Sequence, residues 1–155
     1  MTDDSLAGFL DELAADPPGP AAGSAAAIVV AMAAALLELA ARRSGEDGIA
    51  SQASSIRTAA LPLAEADARA YRVVLQTRGD ERRSALRRAS DVLREIGAAA
   101  AAVEKLALPL LELAKPALGG EVVAASELAR AARRVSENLV AVNGSADATV
   151  GGAAR

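Results

Sequence analysis

Cysteine, histidine and tryptophan are absent from these 155 residues, and Phe9 and Tyr71 are the only aromatics. Without cysteine there is no disulfide framework and no thiol nucleophile. Without histidine the usual general base and the commonest metal ligand are missing. Chemistry on this chain therefore runs on carboxylates, hydroxyls, arginine, lysine or backbone groups. Charge of one sign is lacking too: 17 basic against 20 acidic residues leave a net charge of −3. That near-balance argues against nucleic acid as the main partner. No stretch alternates with period two over a strand's length, and no Gly-rich phosphate loop, metal-ligand cluster or nucleophile triad is present.

What is abundant is alanine. It lifts the hydrophobic share to 52% although aromatics supply only 1%, so the expected core is thin and made of closely packed helices. Alanine, leucine, arginine and glutamate are strong helix formers, and the length suits one domain with a real core. The expected fold is all-α: a bundle of about five helices around a buried, Ala-rich central helix.

That central helix is expected within residues 17–43, PPGPAAGSAAAIVVAMAAALLELAARR. Prolines and Gly19 block a helix from running in, and Ser24 is of the type that caps a helix start. Arg42 and Arg43 suit the negative pole at the other end. Gly23, Ala27, Ala31 and Ala35 recur every fourth residue, so one face is nearly bare and lets a partner backbone approach. Ile28, Met32, Leu36 and Leu39 form a neighbouring stripe, and a helix apolar all round is expected to be buried all round. The run is also long enough to span a membrane. Alanine is barely hydrophobic enough to drive insertion, however, and Glu38 would sit there without a partner, which favours a helix buried in protein. Residues 2–16 carry five acids and no basic segment, so no signal peptide is expected and the expected location is the cytoplasm.

Before this stretch, residues 4–15 read as a short amphipathic helix presenting Leu6, Phe9, Leu10 and Leu13, with Asp3 and Asp4 at its positive pole. After it, SGEDG at 44–48 is a turn. A third helix is expected from Ile49 to Arg78, kinked or split at Pro62. A fourth runs from Glu81 to Lys115, bent near Pro109, and PALGG at 116–120 follows it. The fifth runs from Glu121 to Val142, with Arg133 and Glu137 paired at i,i+4 on its wet side. One domain thus covers residues 1–143, and the small, polar, glycine-bearing residues 144–155 read as a flexible tail. Long antiparallel helices with short loops make a bundle. More apolar face is present than five helices can mutually cover, so a homodimer is expected.

The lead-in Pro18-Gly19-Pro20-Ala21-Ala22-Gly23-Ser24-Ala25-Ala26-Ala27, after Phe9-Leu10-Asp11-Glu12-Leu13, resembles the P-x-P-G-G-G-S-A-A-A pattern of the formiminotransferase-cyclodeaminase and methenyltetrahydrofolate cyclohydrolase family. Two of that pattern's three glycines are alanines here. Asp67-Ala68-Arg69-Ala70-Tyr71-Arg72-Val73-Val74 is similar to the family's D-A-x-A-F/Y-x-x-V. Ala89-Ser90-Asp91-Val92-Leu93-Arg94-Glu95-Ile96 is similar to its A-T-E-V-P-L-E-I. The register then carries its S-D-A-G onto Gly120-Glu121-Val122-Val123 and its N-x-R-I-N onto Leu139 to Asn143. The resemblance covers residues 5–143, as a divergent and C-terminally short member.

It implies a helical, dimeric folate enzyme that hydrolyses the 5,10-methenyl bridge or cyclises a formimino group with loss of ammonia. The substrate would be a tetrahydrofolate derivative, with no tightly bound cofactor, no metal, and neither nucleic acid nor membrane as partner. Asp67 and Glu121 would be catalytic; Gly23, Ser24, Arg72 and Asn143 would bind substrate. A buried carboxylate beside the cationic bridge stabilises its charge and can take a proton from water, which needs no histidine.

Each of these residues also has a plainer use. Asp67 could be a solvated aspartate paired with Arg69 or Arg72, Glu121 a dipole partner at a helix start, Ser24 an N-cap and Asn143 a C-terminal cap. The basic run Arg69, Arg72, Arg78, Arg82 and Arg83 is a solvated face or a patch for a glutamate tail. A second reading of the whole chain stays open: a non-catalytic helical dimer, a degenerate member acting as scaffold or ligand-binding protein.

Overall fold

The computed structural model describes residues 6–15 and 20–152, with side chains up to Asp147. Asp3, Asp4, Asp16 to Gly19 and residues 153–155 lie outside the described residues, and with them most of the proline lead-in. The described residues form five α-helices and no strand: α1 (Leu6–Leu13), α2 (Ala22–Ser44), α3 (Asp47–Gln76), α4 (Gly79–Leu113) and α5 (Gly119–Gly152). A short 3₁₀ turn, Pro116–Leu118, precedes α5.

The glycine-bearing turns act where sequence places them. α2 ends at Gly45, whose φ of 82° is the left-handed conformation that glycine adopts freely. This lets the Glu46 N–H reach back to the Ala41 carbonyl at 2.9 Å, an ending that satisfies orphan carbonyls. α3 passes through Pro62 as one helix, and α4 likewise through Pro109. Arg82 Nη1 donates to the Val74 carbonyl at 2.6 Å, serving the last turn of α3.

α2 touches α3, α4 and α5 and is the centre of the bundle. Val30, Ala33, Ala34, Leu37, Ala40 and Ala41 are fully buried on it, facing Ile96, Ala100, Val103, Ala107 and Leu110 of α4 and Val122, Ala125 and Ala129 of α5. Most of α2 is enclosed by protein, although its length and apolarity would suffice to cross a membrane.

Four expectations change. First, α2 is not buried all round: Met32 and Leu39 are about half exposed, and Ala35 is exposed with them. Second, Glu38 does have partners. Arg42 lies 2.6 Å and Arg57 2.9 Å from its carboxylate. Third, on α1 only Phe9 is buried, while Leu6 and Leu10 are exposed. Fourth, α5 does not end near Val142 but continues through the expected tail to Gly152. Ala146 packs against the cluster of Val74, Ala85, Leu86 and Ala89, and Asp147 lies 3.1 Å from Arg83 Nε and 3.7 Å from Arg87 Nη1. The expected pair of Arg133 and Glu137 forms at 2.7 Å, and Arg133 also reaches Glu104 at 2.7 Å.

The hydrogen bond from Arg57, then the charges of Arg57 and Arg42, hold the Glu38 carboxyl below its usual pKa against the opposing effect of burial. A lowered folded-state pKa means stability that is present above about 4.5 and is lost as pH falls through the folded value. Arg57→Ala should accordingly cost about 1 kcal/mol at neutral pH. Urea melts should show that cost shrinking as pH is lowered through the titration of Glu38; a cost independent of pH would place the role of Arg57 elsewhere.

Candidate functional site

At the N-terminal end of α2 the expected cap is replaced by a different arrangement. The residue before the helix is Ala21, which makes no side-chain cap. The carboxylate of Asp67, from the middle of α3, comes to that helix end instead. Ser24 Oγ lies 2.9 Å from Asp67 Oδ2, and the Ser24 backbone N–H also donates to this carboxylate. An anion at a helix N-terminus meets orphan N–H groups and the positive pole of the dipole.

Gly23 makes the approach possible. Its φ is not in the left-handed region, so backbone freedom is not the reason for glycine. A Cβ built on it would fall on the Asp67 carboxylate, 2.5 Å from Cγ and 2.7 Å from Oδ2. No real Cβ sits so close, and both atoms belong to a carboxylate already held by Ser24.

Asp67 is 6% exposed. Burial raises its pKa, while the Ser24 hydroxyl and N–H pull it down less strongly; the net shift is upward. It is neither a solvated surface residue nor paired with arginine: Arg69 turns to Glu65 at 3.1 Å.

Asp67 and Gly23 open onto a cleft of about 310 Å³ with Ala21, Ala22, Tyr71, Val74, Ala89, Leu93, Leu139, Val142 and Asn143 in its wall. Four helices contribute, and the cleft is unfilled among the described residues. Tyr71 stands one helical turn beyond Asp67, on the same face of α3. Asn143 reaches in from α5, its Nδ2 donating to Ser90 Oγ at 3.3 Å; it is a mid-helix residue, not a cap. Among the described residues, Asp67 is the one charged group lining the cleft.

Three of the expected site residues, Gly23, Asp67 and Asn143, are thus brought together. Ser24 stands behind them, fully buried and outside the cleft wall. Arg72 is exposed and lines no part of the cleft. Glu121 opens α5 at the far end of the bundle, where Lys115 N–H meets Ser44 Oγ at the C-terminal end of α2. Along α5 it is 22 residues from Asn143, about 33 Å at the helical rise. Sequence reasoning passed over Tyr71 as a site residue; its i+4 spacing from Asp67 was the available signal.

The sequence model of the formiminotransferase-cyclodeaminase family matches residues 5–148. The chain belongs to that family. Among solved structures, the crystal structure of formiminotetrahydrofolate cyclodeaminase from Thermotoga maritima superposes with a TM-score of 0.88 at 24% identity, covering 96% of this chain and 83% of that one. The fold is that of the cyclodeaminase. No curated protein matches this chain. The residues that line the cleft all fall within the stretches on which the sequence resemblance rested, whereas Ser24, Arg72 and Glu121, from the same stretches, do not line it.

Proposed function

We propose that the cleft is a folate site in which Asp67 is the base for one-carbon chemistry, hydrolysing the bridge of 5,10-methenyltetrahydrofolate or assisting the cyclisation of formiminotetrahydrofolate with release of ammonia. The carrying observation is the buried Asp67 carboxylate seated on Gly23 at the start of α2, in a cleft with no other charged group among the described residues.

The methenyl bridge spreads one positive charge over N5–C–N10, and a carboxylate in a largely apolar wall attracts such a cation more strongly than it would in water. In hydrolysis, water oxygen adds to the bridge carbon while Asp67 takes the water proton. The tetrahedral adduct then breaks one C–N bond; Asp67 returns its proton to the departing nitrogen and the carbinol proton leaves to solvent, giving a formyl group. In cyclisation the second folate nitrogen adds to the formimino carbon and gives its proton to Asp67, which passes it to the amino group as that C–N bond breaks and ammonia departs. Burial raises the pKa of this carboxyl, which favours its return of the proton as well as its uptake. Asn143 and Tyr71, both in the wall, would orient the pterin. The direct test is the loss of methenyl absorbance, or the release of ammonia from the formimino substrate, on adding the purified protein. No change with either substrate would overturn the reading.

The same proposal includes a cytoplasmic homodimer. Ile28, Met32, Ala35 and Leu39 form an apolar stripe on the outer side of α2, with Met32 50% and Leu39 42% exposed. Two copies facing through this stripe would bury it. Met32→Lys combined with Leu39→Lys should convert a dimer to a monomer in sedimentation at micromolar concentration, with the melting temperature nearly unchanged under conditions where the wild type is already monomeric. A monomeric wild type would refute the dimer.

The position of Glu121 favours a second reading. Glu121 does not line the cleft of its own chain, which leaves Asp67 as the one carboxyl group there among the described residues and fits a non-catalytic member that binds folate without turning it over. Binding without turnover would select this reading over the first.

A further inference from the structure

Ser24 lines no part of the cleft, yet Asp67 is held by it. Its Oγ lies 2.9 Å from Asp67 Oδ2 and 2.9 Å from the Ala64 carbonyl oxygen one turn earlier on α3. A hydroxyl carries one proton and two lone pairs, so it donates to one of these acceptors at a time. Ala64, inside α3, can share its carbonyl between the helix ladder and a second donor, since the oxygen has two lone pairs.

We infer that Ser24 is a positioning residue for the base, its hydroxyl proton turning between Asp67 and the Ala64 carbonyl as Asp67 loses and gains its own proton. The inference rests on the reading of Asp67 as the base. With Asp67 ionised, Ser24 donates to Oδ2. With a proton on Oδ2, the carboxyl donates to Ser24 Oγ and the serine proton turns to Ala64. The heavy atoms need not move, so the carboxyl keeps its aim at the cleft through a catalytic cycle.

Among the described residues no other charged group lines the cleft. Facing Asp67, Ala21 precedes α2 and α2 offers Ala22, Gly23 and Ser24, α4 offers Ala89 and Leu93, and α5 offers Leu139, Val142 and Asn143; on α3 itself the other titratable wall residue is Tyr71. Burial works against the carboxylate and the two donors of Ser24 work for it. Removing the hydroxyl should therefore leave less ionised base at a given pH.

The test compares wild type, Ser24→Ala and Ser24→Cys, each carrying ¹³Cγ-aspartate, with the Asp67 resonance identified by its loss in Asp67→Asn. The pH dependence of kcat and KM for methenyltetrahydrofolate is measured on the same proteins. In Ser24→Ala the Asp67 titration should move up, and the acid limb of kcat should follow it. Turnover should fall about tenfold on the acid side and less than about twofold on the alkaline side, with KM little changed; tenfold is one pH unit of displacement. Ser24→Cys, similar in size but a weaker donor, should fall between, and it decides the matter should the alanine variant not fold. An unmoved Asp67 titration, or a loss of rate equal at all pH values, would overturn the inference. Should the wild type turn over neither folate, the functional reading falls while the NMR titration still decides the role of Ser24.

Discussion

Alanine in place of Gly23 is expected to lower the melting temperature by about 6–12 °C, corresponding to about 3 kcal/mol in a domain of this size. Elsewhere in a helix the same change would stabilise by about 1 kcal/mol, because glycine has the higher conformational cost. Here the new methyl would occupy the space of the Asp67 carboxyl, 2.5 Å from Cγ. The carboxyl cannot swing aside without leaving the Ser24 hydroxyl and N–H, and the α2–α3 contact around it is made of alanines with little room to give. The sign of the effect is therefore opposite to the propensity rule. Asp67→Ala should largely rescue Gly23→Ala in the double variant, because the obstructing group is gone. A Gly23→Ala protein that melts at or above the wild-type temperature would show that α2 and α3 do not meet in this register.

The second large effect is on Asp67→Asn. Turnover should fall about 10²-fold or more, the usual scale of positioned acid–base help, while the fold is retained. The amide oxygen can accept from the Ser24 N–H, and the amide nitrogen can donate to Ser24 Oγ while the serine proton turns to Ala64. Stability gives an independent readout. Burial raises the folded-state pKa of Asp67, so its contribution is fully present below the unfolded value of about 3.8 and is lost as pH rises through the folded value. The asparagine variant resembles the protonated form at every pH. Its stability relative to wild type should therefore increase from acid to neutral pH in urea melts. Full activity in the variant would remove Asp67 from the mechanism, and a relative stability that falls toward neutral pH would show that the carboxylate is better housed than its burial implies.

Much of the fold was legible because prolines, glycines and polar turns separate long apolar periodicities. The break at 44–48 and the reversal at 116–120 are plain in the chain. The last ten residues of α5 were not. Asn143-Gly144-Ser145-Ala146 has neither strong propensity nor an amphipathic stripe; it is helical beside α4, where Ala146 packs and Asp147 meets Arg83 and Arg87. Tertiary contact overrode weak local preference.

The site divides in the same way. Motif resemblance pointed to Gly23, Asp67 and Asn143, but nothing local says that a carboxylate 43 residues onward will cap α2 in place of Ser24. That depends on the register between two helices, which alanine-rich faces specify poorly in sequence. That Glu121 does not line this cleft was hidden for a related reason. Order along the chain does not reveal that one straight helix carries Glu121 and Asn143 to opposite ends of the bundle.

The scarcity of aromatics has a use at the bench. The protein has one tyrosine and no tryptophan, and that tyrosine stands in the cleft wall. Its emission is not masked by other tyrosines or drained by energy transfer to tryptophan. A pterin absorbs where tyrosine emits, so a ligand seated in the cleft would quench the fluorescence of the native, unlabelled chain. The protein thus carries its own optical gauge of occupancy, which would register a folate in the cleft whether or not it is turned over.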